Sequence, residues 1–193
     1  MRMKPILPET LTAIQRSLYD EMKQGVAAKY NDFQTMRDDG AFLGPWNAWL
    51  HQPELGAASW GITKALTAFR KLPDTVRQVA IIATGAHFGA AYEIYAHTAV
   101  AKAHLGMSER RLSSLASGER PDDLNDEEAV GFEVARALLK GGVLPGPTYQ
   151  QSIEHFGQEG TNELIWLVGH YCAVSITLNG FDIPVPDTRA PKL

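Results

Sequence analysis

The sequence predicts a single all-α domain, and three observations carry that prediction. Apolar residues recur at spacings of three and four along nearly the whole 193-residue chain, as one face of an α-helix requires. The period-two alternation of a half-buried strand is missing, and there is neither an internal repeat nor a heptad run long enough for a coiled coil. Helix start and stop residues punctuate the pattern throughout.

Taken in order, Leu11, Ile14, Leu18, Met22 and Val26 share one face of a helix between Pro8 and Lys29. The mixed segment 32–44 contains the turn-like run Asp38-Asp39-Gly40. Pro45 suits a first helical position, where its missing N–H costs nothing, and precedes Trp46, Trp49 and Leu50. Pro53 opens a further segment to about Phe69. Leu72-Pro73-Asp74 then breaks the chain before a helix from Asp74 to about His87, with Val76, Val79, Ile82 and Ala83 inward. In the run 85–89, Gly85 and Gly89 flank His87. A helical glycine costs about 1 kcal/mol relative to alanine, so a kink or a close approach is expected there. Periodicity resumes from Ala90 to about His104, and Gly106 fits a C-terminal stop. Ser108 starts a short helix to Ala116, and Asn125 caps one that runs to Lys140. Beyond Gly141-Gly142, the segments Pro145 to Phe156 and Thr161 to Asn179 supply two more helices. From Asp182 the tail carries three prolines and reads as extended.

Composition narrows the function classes. With 18 Lys+Arg against 22 Asp+Glu, a net charge of −4 and no basic block, the chain lacks the cationic face that phosphate neutralisation needs, which argues against nucleic acid. Its 45% hydrophobic and 21% charged residues place it among globular chains. The N-terminus has no apolar signal region, and the longest apolar stretch, Val79 to Ala91, is too short to span a bilayer. The expectation is a soluble cytoplasmic protein with no membrane partner. Cys172 is the only cysteine, which excludes an intrachain disulfide, a CxxC redox pair and a multi-Cys zinc site.

The segment from Tyr92 to His97 is the most informative. Glu93 and His97 lie four apart, so their side chains share a helix face. A carboxylate beside an imidazole favours the imidazolium and orients the ring, making the pair a candidate acid/base couple near neutral pH. On this alanine-rich helix, such a pair is either an ordinary exposed ion pair or one placed for chemistry. Metal ligation needs a third and usually a fourth ligand. His87 and His104 flank the pair, but the order E-x-x-x-H is not HExxH. His170-Tyr171-Cys172 sits in an apolar helix with Trp166, Leu167, Val168 and Ile176. There His170 reads first as a satisfied core residue and Cys172 as a small core hydrophobe, although helix packing could bring His170 toward Glu93 and His97. Trp46, Trp49 and Trp60 read as core or subunit interface, and 109–128 as a solvated face. No nucleophile elbow, Walker loop or Rossmann loop is present.

Set side by side, these elements resemble the carboxymuconolactone decarboxylase family of the alkyl hydroperoxidase D-like, all-α superfamily. The resemblance spans about 37–186. It runs through Asp39-Gly-Ala-Phe-Leu-Gly-Pro45, Leu72-Pro-Asp-Thr-Val-Arg77, Tyr92-Glu93-Ile-Tyr-Ala-His97, Leu105-Gly-Met-Ser, Leu167-Val-Gly-His-Tyr-Cys and Leu178-Asn-Gly-Phe. The peroxidase branch of that superfamily carries C-x-x-C-x-x-x-H. Aligned through His97, its thiols fall on Ala90 and Glu93, so thiol peroxidase chemistry lacks its nucleophile. The decarboxylase branch has a Glu four residues before the His, which Glu93 and His97 match. The superfamily commonly has a Glu directly after the Arg of the preceding helix, and Gln78 stands there after Arg77; an amide can hydrogen-bond but cannot relay a proton.

The resemblance implies a cofactor-free decarboxylase or isomerase of a small carboxylated lactone or ring acid, without a metal, with Glu93 and His97 catalytic. It gives Arg77 as a carboxylate anchor or a structural ion pair, and Gln78, His87, Tyr92 and His170 as pocket residues. Self-assembly as a homotrimer or homohexamer follows from the same likeness. The alternative is a catalytically idle superfamily member that acts in binding or assembly.

Overall fold

The computed structural model describes residues 1–186, so the end of the tail, with Pro191, lies outside the described residues. The helices are α1 Ala13–Ala27, α2 Gly44–His51, α3 Pro53–Ala68, α4 Asp74–Phe88, α5 Ala91–Leu105, α6 Glu109–Ala116, α7 Asp126–Leu139 and α8 Gly146–Gly180. Among the described residues there is no strand, only an isolated antiparallel bridge between Met36 and Phe42. The chain is all-α, as its periodicity predicts.

Local chemistry sets most of the ends. Thr12 with Gln15 and Asn125 with Glu128 form capping boxes on α1 and α7, and the Ser108 hydroxyl caps α6. Gly89 and Gly106 close α4 and α5 in the left-handed conformation, at φ 60° and 63°. Gly85 shows which of a kink or a close approach applies: a side chain there would meet Glu93 and Ile94 at ordinary contact distances, so it marks the close approach of α5 and no kink. The expected pair of C-terminal helices is present: the span labelled α8 is two helices that meet at a kink at Gly157, whose φ of 65° is non-helical.

α4 is the hub and packs on α5, α6, α7 and α8. One side of it joins Val76, Ala80 and Ile81 to Val134, Leu164 and Leu167. The other joins Val79 and Ile82 to Leu112, Leu115 and Phe132. A third, aromatic cluster ties α1, α2, α3, α5 and the end of α8 around Tyr19, Phe42, Trp46, Trp49, Trp60 and Tyr92. Burying a large apolar side chain contributes roughly 1.5–3 kcal/mol, so these three clusters dominate the fold. Every residue of α2 from Gly44 to Leu50 is buried. Gly44 has φ +59°, and a Cβ there would lie 2.3 Å from the Tyr92 ring; only glycine lets the start of α2 pass Tyr92.

Leu18, Met22 and Val26 are buried as predicted, whereas Ile14 is 53% exposed. Trp46, Trp49 and Trp60 belong to this subunit's own core. Trp166 and Ile176 point outward from α8, 66% and 57% exposed.

Candidate functional site

Glu93 and His97 project from α5 toward α4 and α8. His97 Nε2 lies 3.0 Å from Glu93 Oε1, with side chains only 11% and 5% exposed. Burial on that scale rules out the ordinary surface pair. Across on α4, Gln78 Oε1 is 2.8 Å from His97 Nδ1, so Nδ1 carries a hydrogen and donates it. The Glu93 contact is close enough for a strong charge interaction but is not aligned as a hydrogen bond. Nδ1 is therefore tied down, and Nε2 keeps a proton position next to a carboxylate.

His97 stands between two hollows. On one side is a cavity of about 40 Å³, lined by rings of Phe33, Trp46, Trp49 and Tyr92 together with Glu93, Thr63 and His170. That is room for a water or two. On the other side is a cleft of about 340 Å³, lined by Lys29, Thr67, Arg70, Asp74, Arg77 and Gln78 among others. His97, Tyr30 and Tyr171 line both and form the wall between them.

The cleft's charges are mostly committed. Arg77 pairs with Glu163, whose side chain is fully buried, and donates to the Leu66 carbonyl at 3.1 Å. Glu163 also accepts the backbone N–H groups of Lys71 and Leu72 at 2.6 and 3.0 Å. Of the two roles read for Arg77, the structural ion pair is the one this geometry builds. Arg70 pairs with Asp74, and His104 with Asp32. Lys29 makes no ion pair among the described residues.

The tyrosines of the wall and cavity, and His170, are held in their neutral forms. Burial pushes the Tyr171 hydroxyl well above its ordinary pKa, reinforced by Tyr30 and the Glu93 charge. Tyr30 and Tyr92 shift upward for the same leading reason. His170 moves the other way: burial lowers its pKa, and Glu93 only partly offsets that. Its Nε2 lies 3.0 Å from Thr63 Oγ1, and Thr63 already donates to the Ser59 carbonyl, so His170 donates to Thr63.

The structure thus brings Glu93, His97, Gln78, Tyr92 and His170 together, with Arg77 at the cleft. The Tyr92 hydroxyl donates to the Gln34 carbonyl at 2.9 Å, which fixes the ring in the cavity wall. His87 is not part of the site. It is exposed near the C-terminus of α4, its ring edge-on to Phe88, and lines neither hollow. Sequence reasoning missed Tyr30, Thr63, Tyr171 and Lys29. For Tyr171 a signal existed: Leu167, His170, Tyr171, Val174 and Leu178 form the inward stripe of α8, which Trp166 and Ile176 obscured. Among the described residues no three His, Cys, Asp or Glu side chains converge as a metal site requires. Cys172 lines neither hollow.

No protein-family model matches the sequence, and no curated protein matches it. Solved structures do. The alkylhydroperoxidase AhpD core of a peroxidase-related protein from Ralstonia eutropha superposes with a TM-score of 0.74 at 16% identity, covering 96% of this chain and 92% of that one. A cysteine-to-alanine variant of the debrominase Bmp8, in complex with 2,3,4-tribromopyrrole, gives 0.70 at 15% identity over 97% and 92%. A protein of unknown function from Agrobacterium tumefaciens gives 0.66 at 16%, covering 72% of this chain and 96% of its own. At these identities the likeness is one of fold: the chain has the AhpD-like helical fold.

Proposed function

We propose that this chain is a cofactor-free acid–base enzyme, a decarboxylase or isomerase of a small carboxylated lactone or ring acid that binds in the cleft beside His97. The observation that carries this reading is His97, held between buried Glu93 and half-buried Gln78, in the wall of a ring-sized hollow. The cavity behind it is too small for such a substrate. In the decarboxylation, the bond to the carboxylate carbon breaks, CO2 leaves, and the electron pair moves into a conjugated carbonyl as an enolate. The Tyr171 hydroxyl, on the cleft lining and kept protonated by burial, donates to that oxyanion. His97, oriented by Glu93 and Gln78, then gives a proton to carbon and recovers one from solvent. Gln78 holds Nδ1 and exchanges no proton. Lys29, a cleft cation that makes no ion pair among the described residues, receives the substrate carboxylate. That Bmp8 holds a small planar ring on the same fold is consistent with this size class.

The test is a panel of carboxylated lactones and ring acids in D2O, read for CO2 release and for deuterium at carbon. His97→Ala is expected to lose about 10²–10⁴-fold in rate with helicity unchanged. Full activity in that variant would refute the mechanism. Stabilisation of the wild type by a panel compound without turnover would favour the idle, binding reading.

A further inference from the structure

Three hollows meet at Tyr30. It lines the small cavity beside Glu93 and the cleft beside His97, and it also lines a groove of about 420 Å³ between α1 and α3. That groove is walled by Gln24, Gly25 and Ala28 of α1 and by Trp60 of α3, with the paired Glu21 and Lys64 in its lining. Cleft and groove share Lys29, Tyr30 and Thr67, so the two adjoin along these residues. Lys29 is exposed, and the Thr67 hydroxyl is turned back onto its own helix, donating to the Thr63 carbonyl at 2.7 Å. Tyr30 is the only ring of the three and supplies the bulk of the partition.

That ring is anchored from several directions. The Tyr30 N–H donates to the Val26 carbonyl at 2.8 Å, just past the end of α1. Its ring centroid lies 5.8 Å from that of Trp46 and 6.0 Å from that of Phe33. Downstream, Gln34 is clamped by α5: its N–H donates to the Tyr95 hydroxyl at 3.0 Å, and its carbonyl accepts from Tyr92 at 2.9 Å. The helix that carries Glu93 and His97 thus also fixes the segment that carries Tyr30. We propose that Tyr30 determines the size specificity of the site, as a fixed partition between cleft and groove that limits the substrate to a single ring. A carboxylate on Lys29 lies at the boundary of the two hollows, so a second ring next to that carboxylate points at Tyr30. Without the Tyr30 ring, the two hollows join and the second ring enters the groove, against Gly25, Ala28 and Trp60. The inference rests on the carboxylate site proposed above and narrows its substrate class to one-ring acids.

Calorimetric titration of benzoate and biphenyl-2-carboxylate into the wild type and variants tests it. The wild type is expected to bind benzoate about tenfold more tightly than the two-ring acid, which clashes with the partition. Tyr30→Ala should gain about tenfold or more for the two-ring acid, the effect of burying one further ring, while benzoate changes less than about threefold. Tyr30→Phe keeps the partition and should gain nothing. Adding Ala28→Trp, at an exposed position in the groove lining, to Tyr30→Ala should remove the gain. Tyr30→Leu, which keeps an apolar contact with Trp46 and Phe33, takes the place of the alanine variant if that one does not fold. A wild type that binds both acids equally, no gain on removing the ring, an equal gain in Tyr30→Phe, or a gain that survives Ala28→Trp overturns the proposal. Benzamide and biphenyl-2-carboxamide are titrated in parallel. If neither acid binds and the amides show the same size preference, relieved by Tyr30→Ala, the carboxylate reading fails and the partition stands. No binding of either series to any variant overturns the partition as well.

Discussion

The two hollows that meet at His97 are built from different materials. The cavity is walled by packed rings and one buried carboxylate, and it admits a water or two. The cleft is walled by ion pairs and aliphatic stems, and it admits a small ring. In the proposed function, the difference divides a proton-transfer site into two compartments. Low polarity on the cavity side strengthens the Glu93–His97 interaction, while the cleft carries Lys29 on its lining to meet the proposed anionic substrate. His97, Tyr30 and Tyr171 form the wall the two share.

If the cleft rests on ion pairs, removing one should cost the most. Glu163→Ala leaves the Arg77 guanidinium without its partner and two backbone N–H groups unmet, and is expected to destabilise by about 3–5 kcal/mol in urea unfolding. A loss below about 1 kcal/mol would show that Arg77 relaxes into water and that the cleft does not depend on this pair. The cavity should fail sterically instead. Gly44→Ala adds a methyl against Tyr92 at a left-handed backbone position, with an expected cost of about 2–4 kcal/mol. A neutral outcome would mean that the ring wall is loose.

Smaller effects separate binding from structure. Lys29→Gln is expected to weaken benzoate binding about fivefold by calorimetry and to leave the uncharged benzamide unaffected. Equal loss for both would remove Lys29 as the carboxylate partner. The weakest probe is pH. His170 has a folded pKa below the 6.5 of a free imidazole because it is buried. As pH falls below about 6.5 the unfolded chain takes up that proton first, so stability decreases down to the folded pKa and is unaffected above 6.5. Thermal unfolding of His170→Gln should show a shallower acid slope, the difference being at most about 1.4 kcal/mol per pH unit. Identical slopes would place His170 in water.

Much of this was readable in the chain. Thr12, Asn125, Ser108, Gly89 and Gly106 act within a few residues, so the limits they set follow from local chemistry. Glu93 and His97 are also local, four apart on one helix. His87 illustrates the opposite case. It is next to the glycine-rich end of α4 in sequence, yet nine residues from Gln78 on a helix is half a turn out of phase, which takes it away from the cleft. Arg77 and Glu163 are 86 positions apart in the numbering, and nothing in the spacing of either announces the pair.

By itself, then, the sequence determined the helical class, nearly every helix end, the absence of a cysteine beside His97 and the Glu–His pair, because each depends on periodicity or on neighbours one or two turns away. Tertiary structure decided the rest: that the pair is buried, that Gln78 holds the ring, that Tyr171 and Tyr30 complete the wall, and that Trp166 faces out. Those are matters of which helix faces meet, and a face is chosen by the packing of the whole core around α4.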